Sequence, residues 1–154
     1  MMARLEDIPE ATREAIIALD IPAPATHPFV VGPPLSERRV AIVSSAALHD
    51  RREMPFLPGS GEFRELPASL PGADIRMSHV SINFDRAGFQ RDLDVVYPVS
   101  RLAELAAEGI VGSVADTHYA VMGSTDPKVM TETVEALVAR FRRDRIDAVL
   151  FSPV

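Results

Sequence analysis

Two short apolar runs constrain most strongly what this chain can fold into. Residues 40–43, "VAIV", are rich in β-branched side chains and bounded by small residues, the pattern of a strand covered on both faces. Residues 148–151, "AVLF", follow directly on the apolar stripe Met130, Val134, Leu137, Val138 and Phe141. That spacing is helical, and a helix feeding a buried strand predicts a parallel, right-handed crossover. The expected fold is therefore α/β: a single three-layer domain with a mostly parallel sheet flanked by helices, its last visible strand interior.

Other segments fill in this frame. Leu5, Ile8, Ala11, Ile16 and Leu19 recur at roughly helical spacing and predict a surface helix. Pro22, Pro24, Pro28, Pro33 and Pro34 then predict an extended arm, since proline lacks an N–H and fixes φ. The expected organisation is a helix and Pro-rich arm over 1–38 and an α/β domain over 39–154. "EFRELP" and residues 73–82 are short strand candidates, and residues 110–123 hold a further strand or strand pair. Ser100 is the expected N-cap of a helix with Leu102, Leu105 and Ala106 on its apolar face and Gly109 just past its end. Asp126 followed by Pro127 marks the start of the last helix.

Composition excludes several functions. The 154 residues are 47% hydrophobic, which suits one core-bearing domain. Net charge is −6, and the basic residues are scattered apart from "RFRRDR" at 140–145, which argues against nucleic acid as a partner. No apolar run approaches the roughly 18 residues of a membrane span, and the N-terminal stretch is too charged for a secretory signal, so a cytoplasmic location is expected. Cysteine is absent, which removes thiol nucleophiles and thiolate metal sites from the chain as written.

No G-x-G-x-x-G follows a strand, and neither a P-loop nor G-x-S-x-G is present. What remains is a set of polar residues at predicted strand ends: His49 with Asp50, Ser78 with His79, Asp85, Asp116 with His118, and Gly123, Ser124 and Thr125. Ligands of open parallel sheets bind beyond the carboxyl ends of the strands, where His49, His79 and His118 are expected to converge. Each histidine equally suits a structural or solvated role. Asp116-x-His118 can present two metal ligands on one strand face, but two ligands at that spacing are weak evidence and no metal is assigned. "GSTDP" at 123–127 offers free N–H groups and a positive helix end to an anion, or is an ordinary capped start.

Several blocks in order resemble the selenoprotein B family of glycine, sarcosine, betaine and D-proline reductases. They are "VAIVSSAALHDRREMPF" with "GEFRELP", then residues 77–123, then "VEALVARFRRDRIDAVLFSPV". The resemblance runs from about Arg39 to the last residue. It implies a selenocysteine, or a cysteine in its place, immediately after Val154, commonly followed by x-x-Cys. A UGA codon read as stop would end the chain there, leaving an N-terminal fragment without cysteine and inactive as written.

The resemblance further implies reductive cleavage of a C–N bond in an amino-acid-like substrate. No cofactor is expected in this chain; a pyruvoyl group on a partner subunit engages the substrate amine, and thiol or thioredoxin-like donors close the cycle. By matching blocks, His79 and His118 are the expected catalytic residues with Asp85 in support, and His49, Ser78, Gly123 and Ser124 the expected substrate-binding ones. "SHVSINFD" lacks the glycines that clostridial members tend to show after the histidine, so neither glycine nor D-proline is assigned as substrate. A chain ending at Val154 would leave its last strand with an open flank, and a homo-oligomer is then expected. The alternative function is a non-catalytic module binding a small carboxylate or a metal at the strand-end pocket.

Overall fold

The computed structural model describes residues 5–18, 25, 27, 29–81 and 86–154. Two compact units, Met1–Val31 and Gly32–Val154, divide a little before the boundary expected at Arg38. In the first, a 3₁₀ turn at Leu5–Asp7 precedes helix α1 (Glu10–Ile17). Leu19, the last position of the expected stripe, and Pro22, Pro24 and Pro28 of the arm lie outside the described residues.

The second unit is an α/β domain around strand β1 (Arg39–Ser44). After it come β2 (Leu48–Asp50), β3 (Phe63–Pro67), β4 (Ile75–Met77) and the short helix α2 (Arg86–Arg91). Helix α3 (Val99–Ala107), β5 (Ser113–Val114), β6 (Thr117–Val121), helix α4 (Thr131–Arg143) and β7 (Ala148–Ser152) complete it. β1 is parallel to β5 and β6 along one side and to β7 along the other, where Val43 stands opposite both Tyr119 and Phe151. β3 adds antiparallel to β6, and β2 pairs with β4 in a separate two-stranded sheet.

The uninterrupted apolar run of β1 is explained by cover on both faces, since successive side chains of a strand point to opposite sides. Val40 and Ile42 pack with Leu102 of α3, Leu48, Ile75, Val96 and Tyr97. Ala41 and Val43 pack with Tyr119 and Leu137 of α4, with Phe141 against them. Tyr119 meets Phe141 edge to face at 5.3 Å between ring centroids. The layers are thus α4, the main sheet, and α3 with the β2–β4 ribbon.

Gly109 follows the last turn of α3 with φ +72°, the left-handed conformation expected of a residue just past a helix end. Asp126 accepts from Lys128 N at 2.9 Å, so the expected cap holds, but it opens a 3₁₀ turn (Pro127–Met130) that leads into α4. Ser100 is not an N-cap. Pro98 occupies that position, and the Asp94 carboxylate takes the Ser100 N–H at 3.1 Å, so a side chain six residues upstream does the capping.

Among the described residues β7 has β1 on one side and no strand on the other, so the interior place expected for it in the domain is not seen and its second flank is open, as expected of a chain ending at Val154. Phe151 is 70% exposed and borders a groove that Val134 and Leu137 of α4 also line.

Candidate functional site at the carboxyl end of the sheet

Three strands end around Ser45, the half-exposed residue after β1. Its N–H donates to Ser152 O at 3.1 Å, its carbonyl accepts from Gly123 N at 2.9 Å, and its Oγ accepts from Val154 N at 2.8 Å. One residue therefore ties the ends of β1, β6 and β7 together. Gly123 follows Met122, which bridges Ala46. A Cβ at Gly123 would stand 2.7 Å from Ser45 O and 3.1 Å from His79 Nε2, a space that only glycine leaves open.

His79 is brought there by the loop after β4. Ser78 anchors that loop: its N–H and its Oγ–H both donate to Ala47 O, at 3.1 and 3.2 Å, and its Oγ accepts from Phe56 N at 3.0 Å. Ala47 holds the anchor in a left-handed backbone, φ +53°, unusual for a residue with a Cβ and costing on the order of 1 kcal/mol or more. The His79 ring is 4% exposed, and its Nδ1 accepts from Ser81 N at 3.2 Å, which puts the proton of the neutral ring on Nε2. Burial, with the Arg86 guanidinium as a second cause, lowers the His79 pKa below its ordinary value. At the edge, a buried neutral imidazole lies behind exposed Gly123 and Ser124 and the half-exposed Ser45 residue. The Ser45 and Ser124 hydroxyls suit a carboxylate or carbonyl oxygen.

The convergence of three histidines is not found. His118 lies in the first half of β6 and is fully buried, on the α3 side of the sheet. Its Nδ1 accepts from Ile42 N at 3.0 Å, its ring meets Tyr97 edge to face at 5.5 Å, and burial pushes its pKa down to about 4. His49 sits on β2 opposite Arg76, its Nδ1 2.9 Å from Asp50 O. Ser78 serves the loop anchor. Asp85 lies outside the described residues.

Asp116 and His118 do not form a ligand pair: Asp116 is exposed and bonded to Arg39 Nη2 at 2.6 Å, whereas His118 faces the core. No group of three metal-ligating side chains occurs among the described residues. In "GSTDP" Gly123 N bonds Ser45 O and Thr125 N bonds Met122 O, and just after it Lys128 N bonds the Asp126 carboxylate and Val129 N bonds Asp126 O.

At the opposite end of the sheet, Arg39, Asp116, Thr117, Arg143, Asp144 and Arg145 line a polar cleft of about 450 Å³. Its charges are largely matched within it, Arg39 with Asp116 and Arg143 with Asp144. Sequence reasoning missed Ser45, Ala47 and Tyr97. In "SSAA" nothing distinguishes Ser44, whose hydroxyl donates to Val96 O in the core, from Ser45 at the edge.

No family model matches the chain, and no solved structure matches it. The chain is similar to the D-proline reductase subunit gamma of Acetoanaerobium sticklandii, 27% identical over 139 residues. The match covers 86% of this chain and 57% of that protein, so the chain spans little more than half the length of its relative. This likeness supports a distant relation to the D-proline reductase family. No helix among the described residues is long and apolar enough to cross a membrane.

Proposed function

We propose that the chain is a subunit, or the N-terminal part of one, of a cytoplasmic reductase that cleaves a C–N bond of an amino-acid-like substrate such as D-proline. The observation that carries this reading is the likeness to D-proline reductase subunit gamma along most of the chain. The redox residue, selenocysteine or cysteine, directly follows Val154. There it supplies the nucleophile that displaces nitrogen from carbon, with a thiol or thioredoxin-like donor supplying the two electrons. A pyruvoyl group that engages the substrate amine belongs to a partner subunit, and no residue here is asked to hold it.

The bond from Val154 N to Ser45 Oγ favours this placement, because a residue following Val154 starts beside Gly123 and His79. Within the reading, Ser124 holds the substrate carboxylate, His79 orients the substrate from behind the edge, and Asp85 supports them. His118 acts from the core by fixing β6 against β1. A second reading is favoured by the absence of cysteine: a module that binds a small carboxylate at the same edge without redox chemistry.

Sequencing the gene past the codon for Val154 separates the two. An in-frame UGA or cysteine codon followed by x-x-Cys, in a product that consumes D-proline with a dithiol and its partner subunit, supports the reductase. A UAA or UAG directly after that codon sinks it and leaves the binding module.

A further inference from the structure

His118 and Tyr97 each carry a polar atom into the core without a protein partner among the described residues. Both side chains are almost fully buried, at 0% and 2% exposure, and their rings touch edge to face. The Ile42 N–H donates to His118 Nδ1, so the neutral ring carries its proton on Nε2, and that N–H has no acceptor among the described residues. The Tyr97 hydroxyl has no partner there either. Ser44, the polar side chain bonded to the carbonyl just before Tyr97, cannot help: its hydroxyl donates to Val96 O and accepts from Ala46 N. Buried polar atoms are as a rule hydrogen-bonded, and internal waters satisfy those that protein groups do not.

We propose that one internal water is bound between Tyr97 and His118, on the α3 face of the central sheet. It accepts from His118 Nε2–H and exchanges a second hydrogen bond with the Tyr97 hydroxyl, which can donate or accept. A cation does not suit the place, because the imidazole offers a hydrogen and no lone pair. The water clamps the segment that leads into α3 onto β6. This inference stands apart from the reductase reading and survives its failure.

Nitrogen-15 NMR of the full chain tests it. The expected result is a protonated His118 Nε2 with a slowly exchanging proton and a cross-relaxation peak at the water frequency. Tyr97→Phe should lose that peak and lower the unfolding midpoint, because the water then loses a partner. A proton on Nδ1, a missing water peak, or a Tyr97→Phe chain at least as stable as its parent would overturn the proposal. The measurement on the unaltered chain decides even where the variant fails to fold.

Discussion

At the amino end of the sheet Arg39 with Asp116 and Arg143 with Asp144 pair within a polar cleft, while at the carboxyl end Ser45, Gly123 and His79 meet through backbone and neutral side-chain contacts. The amino end is the more conspicuous concavity, but its opposite charges largely satisfy one another, and exposed pairs of this kind contribute little. At the carboxyl end the features are costly to maintain: a left-handed Ala47, a glycine pressed on two neighbours, and an imidazole held neutral by burial. Strain and perturbed titration that persist at a strand-end edge are the better pointer to function.

Acid should separate the buried histidines from the amino-end carboxylates, with the largest effect. A histidine whose folded pKa is lowered binds its proton more tightly in the unfolded chain. Its contribution is complete above the ordinary 6.5 and, for His118, is lost progressively as pH falls from 6.5 towards about 4. That loss amounts to about 3 kcal/mol by the usual conversion of a pKa difference. His79 adds to it in the same direction. Asp144, held below its ordinary 3.8 first by the Arg143 hydrogen bond, gives up its contribution only at still lower pH. Denaturant midpoints between pH 7 and 3 should show the histidine loss first; a flat profile between 6.5 and 4 contradicts the burial of His118.

Gly123→Ala comes next. Its methyl group must displace Ser45 O and press on the His79 ring, and overpacking of this kind costs about 1–3 kcal/mol. Urea unfolding and the His79 ring resonances should both move; an unchanged His79 spectrum would mean that the ring is not beside Gly123. Smallest is Asp116→Asn at the amino end. The pair with Arg39 is exposed on the carboxylate side, and its loss should cost less than about 1 kcal/mol, shrinking further in salt. A loss as large as that of Gly123→Ala would overturn the contrast between the two ends.

Local signals made much of the fold legible in the sequence. The run at 40–43, Gly109 past a helix and Asp126-Pro127 before one each act within a few residues. What depended on distant partners was harder to read. Ser100 lost its expected role because Asp94 reaches its N–H from a preceding turn. "THYAV" shows alternation but does not say which face is which, and His118 with Ala120 turned out to line the α3 side while Tyr119 and Val121 line the α4 side. The edge position of β7 depends on what lies beside it, which an apolar run does not encode. His79 and Gly123 were both named from the sequence, but their contact, and Ser45 between the strand ends, needed the fold.

The central claim is that the carboxyl end of the sheet, and not the charged cleft, receives the small molecule. Amide and imidazole shift mapping of the full chain during titration with a small amino acid tests it most directly. The account predicts shifts centred on Ser45, His79, Gly123 and Ser124. Shifts centred on Arg39, Arg143 and Arg145, or no saturable shift at all, would contradict it.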